Sequence, residues 1–182
     1  MRVYLTGFSA SGKSTIGKLL AKRMKVRFVD IDARIEKNTR MTIPEIFKVK
    51  GERTFRKLEE AEVARVVQSP GRNLVVAVGG GALQNYANRR LIRDDGLTIY
   101  LSCSAPEIYR RLKDGTDRPM LDVTPRKCET RVQLRKRRIR ELLRQRKTYY
   151  NRADLTISTT NRTPAGAASE LYRLIGRYDD RA

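Results

Sequence analysis

Histidine is absent from the 182 residues. That absence removes every catalytic scheme needing an imidazole, and it removes a common ligand of zinc sites. Cysteine is scarce as well. Cys103 and Cys128 are the only two, without the spacing of a metal-ligand or redox pair, which fits a reducing, cytoplasmic compartment. No stretch approaches the roughly 18 consecutive apolar residues of a membrane span. The short apolar run near the start meets polar residues at once, unlike a secretion signal. A cytoplasmic protein with no membrane partner is therefore expected. There is no internal repeat, low-complexity tract or Gly/Ser linker, so residues 1–182 are read as one domain, long enough to bury roughly 70% of its unfolded surface. Acid is the remaining shortage: 20 Asp and Glu stand against 40 Lys and Arg, a net charge of +20. Residues 126–152 hold 12 of the basic residues and 2 acids, half of that excess. Such a bias often marks a polyanionic partner, although a solvated helix face carries the same signature.

What the chain does contain is an alternation of short apolar runs with longer charged, periodic segments. Strands are expected at Val3–Leu5, Arg27–Ile31, Asn73–Val78, Leu97–Leu101 and Asp154–Ile157. Helices are expected near 14–24, 43–68 with a break around Gly51, 85–94, 105–113, 126–150 and 164–177. This pattern predicts an α/β fold: a five-stranded parallel sheet with helices on both faces, a three-layer sandwich. The segment KDGTDRPMLDVTP, Lys113–Pro125, fits neither period and is read as a lid loop.

One motif sets the chemistry. GFSASGKST, residues 7–15, contains G-x-x-x-x-G-K-[ST] from Gly7 to Ser14, with a strand before it and the helical IGKLLAKRM after it. Small residues at Ser9, Ala10, Ser11 and Gly12 allow successive backbone N–H groups to curl around a phosphate, and the helix opening there adds its positive end. Lys13 then reaches the β- and γ-phosphates, Ser14 supplies a hydroxyl to Mg²⁺, and Thr15 completes the cradle. A nucleoside triphosphate is implied; its use is not, because this loop serves kinases, GTPases, motors and helicases alike.

Other features narrow the choice. In VRFVDID, an extended strand would place Asp30 and Asp32 on one face, at the strand end beside the loop. One carboxylate there could orient Mg²⁺ through water and the other receive a substrate hydroxyl, unless they only cap the helix beginning near Ala33. Gly79-Gly80-Gly81 follows a strand, where the backbone can approach a ligand closely. Arg56 in GERTFRKLEE reads most plainly as an i,i+4 ion pair with Glu60. Arg146 does not. It falls on the helical stripe of Val132, Ile139, Leu142, Leu143, Tyr149 and Tyr150, whereas Arg138, Arg140 and Arg144 lie off it. A guanidinium aimed at the interior needs an anion or acceptor there. Arg118, in the lid, is placed to stabilise charge developing during phosphoryl transfer.

Together GFSASGKST, FVDIDARIE, GERTFRKLEE, VVAVGGGAL, DRPML and RQRKTYYNRADLTI resemble the shikimate kinase family, in the family's order and over nearly the full chain. The resemblance implies transfer of the γ-phosphoryl of MgATP to the shikimate 3-hydroxyl, in the route to aromatic amino acids. It implies phosphate contacts from Gly7 to Ser14, Asp30 near the metal, Asp32 on the shikimate hydroxyls, and Arg56 and Arg146 on its carboxylate. Gly80 would contact the substrate from within the Gly79–Gly81 turn. Arg118 would close over the phosphates, and adenine would lie between Arg111 and Asn161-Arg162-Thr163-Pro164. The implied partner is the small molecule alone, with a monomer and no specific nucleic acid expected. The basic helix offers few exposed aromatics to stack bases. Another P-loop small-molecule or nucleotide kinase, or a nucleic-acid-binding NTPase, are the competing readings. The chain departs from the family at Ala10, where many members carry glycine, and in a charge larger than two anionic substrates require.

Overall fold

Val3 and Leu5 alternate with Tyr4 along the first strand, and all three are buried, so this strand has no solvent face. A strand apolar on both sides needs cover on both, the situation of a parallel sheet in an α/β protein. The computed structural model describes residues 1–71, 73–112, 119–121, 125 and 128–179. Its strands are β1 (Arg2–Thr6), β2 (Arg27–Asp30), β3 (Leu74–Ala77), β4 (Leu97–Ser102) and β5 (Leu155–Ser158). They form one sheet in the order β2-β3-β1-β4-β5, every pairing parallel, as expected from the alternation. Tyr4 sits opposite Val76 on one side and Thr98 on the other, which makes β1 the central strand.

Seven α-helices lie among the described residues: α1 (Lys13–Met24), α2 (Ile31–Thr39), α3 (Ile43–Gln68), α4 (Tyr86–Asp95), α5 (Ala105–Leu112), α6 (Arg131–Tyr150) and α7 (Pro164–Asp179). Val3, Leu5, Ile99 and Leu101 pack against Ile16 and Leu20 of α1 and Ala168 and Leu171 of α7. The alternate residues Tyr4, Leu74 and Val76 face α2, α3 and α4 through Ile35, Phe55, Val63 and Ile92. A third cluster joins Phe8 to Ile108 of α5 and to Ile139 and Leu142 of α6. The sheet therefore has helices on both faces.

Three local departures bear on the site. β2 stops at Asp30 and α2 starts at Ile31, so Asp32 stands in a helix and the same-face argument from an extended strand does not hold. Helix α6 begins at Arg131, not near 126, because Thr130 and Gln133 cap it reciprocally. In its first turn Val132 is 48% exposed, and Leu134 takes the buried position the stripe gave to Val132. Gly51 interrupts α3 with φ 77° and ψ 165°, the expected break.

Candidate active site

The C-terminal ends of β1, β2 and β3 converge, since β1 lies beside β3 and β3 beside β2. From β1 the chain enters the Gly7–Ser14 loop, which turns through positive φ at Ala10 (62°) and at Gly12 (98°), the residue before α1. With no capping side chain at Gly12, the α1 N-terminus is left for an anion. Lys13 folds back over the loop, its Nζ donating to the carbonyls of Gly7 and Phe8, each at 2.9 Å. Ser14 Oγ donates to Asp30 Oδ2 at 2.5 Å. The other Asp30 oxygen accepts the N–H groups of Asp32 and Ala33 at 3.1 and 3.4 Å. Asp30 is thus a helix cap through one oxygen and a partner of the loop hydroxyl through the other. A hydroxyl and a carboxylate oxygen side by side, next to a phosphate cradle, fit Mg²⁺, which takes few protein oxygens and completes its shell with phosphate and water.

Beside this loop lies a cavity of about 260 Å³. Ser9, Ala10, Gly12, Lys13, Ser14, Thr15 and Asp30 line its loop side, while Asp32, Arg56, Gly79, Gly80, Gly81 and Arg146 line the rest. Ser11 does not line it: its side chain is fully buried and its N–H bonds Phe8 O at 3.1 Å. Two of the three glycines are needed for space, and a Cβ on Gly80 would sit tightly, 3.2 Å from Gly7 O. A Cβ on Gly79 would stand 2.1 Å from Glu59 Oε1, and one on Gly81 would stand 2.7 Å from Arg56 Nη1. Arg56 does not pair with Glu60. Its guanidinium binds Glu59 at 2.9 Å and Glu52 at 3.0 Å, because the helix turns those carboxylates toward it and Glu60 toward Asn85.

Arg146 is buried, as its stripe position predicts. It donates to Gly80 O at 3.2 Å, lies 5.4 Å from the Phe8 ring centre, and keeps its buried Nε without a partner among the described residues. Tyr150 Oη donates to the same carbonyl at 2.5 Å, and its ring stacks on Tyr100 at 4.8 Å. Burial pushes the Tyr150 hydroxyl up to about 12, so it stays a donor at neutral pH. Arg138, set outside the stripe, is also turned inward and donates to Met120 O at 3.0 Å.

Glu59 went unrecognised as a member of this site. It is 1% exposed, and burial raises its carboxyl above the usual range, against the opposing charge of Arg56. Its signal was available: Glu59 lies four residues after Phe55 and four before Val63, the same stripe logic that located Arg146.

A second cavity, about 640 Å³, opens on the other side of the loop and shares Ala10, Gly12 and Thr15 with the first. Arg111, Asn161, Arg162, Thr163 and Pro164 line it. Arg111 is fixed by bonds to Ala10 O at 3.1 Å, Thr159 O at 2.7 Å and Glu107 Oε1 at 2.8 Å, whereas Arg162 pairs with Glu170. Arg118 lies outside the described residues, as does most of the expected lid. Of that segment, the 3-10 turn Pro119–Leu121 is described, and it lines the first cavity.

A family model for shikimate kinase matches residues 9–175. The chain belongs to the shikimate kinase family. A shikimate kinase of Chlorobaculum tepidum is 40% identical over 180 residues, covering 99% of this chain and 93% of that one. One from Sulfurihydrogenibium sp. is 37% identical over 175 residues, covering 96% and 98%. In three dimensions the chain is similar to the shikimate kinase of Acinetobacter baumannii in complex with shikimate, with a TM-score of 0.88 and 30% identity over 97% of this chain and 93% of that one. Among the described residues of this shikimate kinase family member, no helix is long and apolar enough to cross a membrane.

Proposed function

We propose that the protein transfers the γ-phosphoryl group of ATP to the 3-hydroxyl of shikimate, giving shikimate 3-phosphate and ADP. The observation that carries this reading is one cavity in which a phosphate loop, three carboxylates and two guanidinium groups meet. Shikimate is a small triol with one carboxylate, so it needs cations at one end and a hydroxyl acceptor at the other. Arg146 and Arg56 would take the carboxylate, and Asp32 would accept the reacting hydroxyl and receive its proton. Backbone groups of Gly79, Gly80 and Gly81 would approach the ring edge, where no Cβ intervenes.

On the donor side, the loop amides and Lys13 would hold the β- and γ-phosphates, with adenine between Arg111 and the Arg162 segment. Mg²⁺, held through Ser14 and Asp30, would neutralise charge between the β- and γ-phosphates. Phosphoryl transfer asks chiefly for alignment and charge stabilisation, which these residues can supply without an imidazole. Arg118, outside the described residues, would add its charge to the transferring phosphoryl group.

A coupled ADP-release assay tests the reading. ADP production is expected only with both Mg²⁺ and shikimate, and Asp32→Asn is expected to lower kcat by about 100-fold or more, the scale of a lost general base. ATP turnover independent of shikimate would overturn the assignment.

A further inference from the structure

A depression of about 150 Å³ lies between α4 and the C-terminal end of α6, away from both cavities described above. Its lining runs from Leu83 and Tyr86, just after the glycine turn, to Thr98 and Asp154 at the starts of β4 and β5. Its lining combines the buried Leu83 and Ile92, the rings of Tyr86 and Tyr149, and the guanidinium groups of Arg89, Arg90, Arg93 and Arg152.

Arg89 is already committed. It donates to Leu83 O at 2.7 Å and Gln84 O at 2.9 Å, and its guanidinium carbon lies 5.6 and 4.9 Å from the ring centres of Tyr86 and Tyr149. Its guanidinium thus faces both rings, of which Tyr86 is 70% exposed. The other three arginines carry charge to spare. Arg90 and Arg93 share the exposed carboxylate of Asp94, at 3.8 and 3.3 Å, and Arg152 pairs with no carboxylate among the described residues. Asp154 is the one acid of the lining, and its Oδ2 accepts the Thr98 N–H at 2.7 Å. Two aromatic rings beside guanidinium groups that outnumber the carboxylates near them suit a planar ring that bears a carboxylate: the ring stacks, and the carboxylate meets a fork.

The depression is also wired to the acceptor cavity. The carbonyls held by Arg89 belong to the 3-10 turn Ala82–Gln84, which follows Gly79–Gly81 directly. Tyr149 adjoins Tyr150, whose hydroxyl holds Gly80 O. We propose that this depression binds a small aromatic carboxylate, and that its occupancy weakens shikimate binding by drawing Arg89 away from the carbonyls of Leu83 and Gln84, in the turn that continues Gly79–Gly81. The binding stands independently of the proposed activity, whereas the coupling rests on it.

The test uses the ¹⁵N-labelled full chain, with shikimate and ADP present in excess, titrated with 3-phenylpropionate. Amide shifts are expected in Tyr86–Arg93 and Tyr149–Asp154, with affinity lowered about tenfold or more by the double substitution Arg93→Ala/Arg152→Ala. Arg173→Ala/Arg177→Ala removes the same charge from the exposed face of α7 and is expected to bind as the parent does. Inorganic phosphate and 3-phenylpropanamide, each lacking half of the recognised chemistry, are expected to bind about tenfold more weakly or worse. Shifts confined to residues 7–15, equal losses in the two double variants, or equal binding of inorganic phosphate would each overturn the site. Calorimetric shikimate affinity is expected to fall when 3-phenylpropionate is present, and an unchanged affinity overturns the coupling. Failure to bind shikimate at all would count against the proposed activity, while the amide shifts still report on the depression.

Discussion

Ala10 is where the phosphate loop is strained. Its φ of 62° lies in the left-handed region, which costs an L-residue with a Cβ roughly 1–2 kcal/mol. The cost persists because the loop is over-determined: Ala10 O accepts from Arg111 at 3.1 Å, and Ser11 N–H bonds Phe8 O at 3.1 Å. Replacing Ala10 with glycine relieves that strain but adds about 0.4–1 kcal/mol of unfolded-chain entropy. The net expectation for Ala10→Gly is a stabilisation of about 0.5–1 kcal/mol, read as a rise of about 1–4 °C in the thermal midpoint. A lower midpoint would show that the methyl group contributes packing, for it lies against the Phe8 and Ile108 cluster. The same scale explains a split between the two cavity arginines. Arg56 is neutralised by Glu52 and Glu59, whereas Arg146 has a carbonyl, a ring face and an unpartnered Nε. On this geometry Arg146 has the greater unmet demand for an anion.

Helix α5 shows how one element serves the nucleotide side. Glu107, in its first turn, accepts from Arg110 at 2.7 and 2.8 Å and from Arg111 at 2.8 Å, and these bonds, with Arg110 the larger influence, hold its carboxyl down to about 2. A carboxyl depressed on folding stabilises the protein above its unfolded pKa of about 4.3, and that contribution fades as pH falls toward the folded value. Glu107→Gln is therefore expected to be less stable than the parent at pH 7, with the difference shrinking between about pH 5 and pH 2 in chemical unfolding series. Because Arg111 loses one of three tethers, the KM for ATP is expected to rise by about two- to tenfold, the scale of one charge-assisted bond of modest worth, with the shikimate KM less affected. A difference that stays constant with pH would remove the linkage. At this level the sequence was most readable. All five strands stood out as short apolar runs, and the Gly51 break was visible in advance. Helix α2 is expected only as a helix beginning near Ala33 and starts two residues earlier, at Ile31, since the strand passes into it at Asp30 without a glycine or proline between them. Val132 and Leu134 were exchanged because a periodic pattern cannot say where a capping box starts the helix. Glu59 was hidden for another reason: a glutamate in a charged helix reads as solvated until its position on the apolar stripe is weighed.

For the molecule as a whole, the +20 charge is a field as well as a composition. Along the outer side of α6, Lys136, Arg140, Arg144 and Lys147 recur at helical spacing and are exposed, and no carboxylate among the described residues pairs with them. The acids on and just before the helix are already engaged, since Glu129 binds Arg137 at 2.7 Å and Glu141 binds Arg137 at 3.0 Å and Arg138 at 3.7 Å. The same helix carries Arg146 and Tyr150 toward the glycine turn on its inward side, so the outer stripe can act on the candidate site only through its long-range field. Both proposed substrates are anions, and a field of one sign raises their encounter rate without touching the chemistry. Stopped-flow binding of the fluorescent nucleotide mant-ATP should then show an association rate constant that falls about tenfold or more between low salt and roughly 0.5 M KCl, as the Debye length shrinks to a few ångströms. The dissociation rate should move far less. In Lys136→Glu/Arg140→Glu/Arg144→Glu the association rate should be lower at low salt and much flatter against it, because the stripe then no longer attracts the nucleotide. An unchanged slope in that variant would assign the steering to the loop and its immediate cations, and the stripe's charge would have no part in substrate capture.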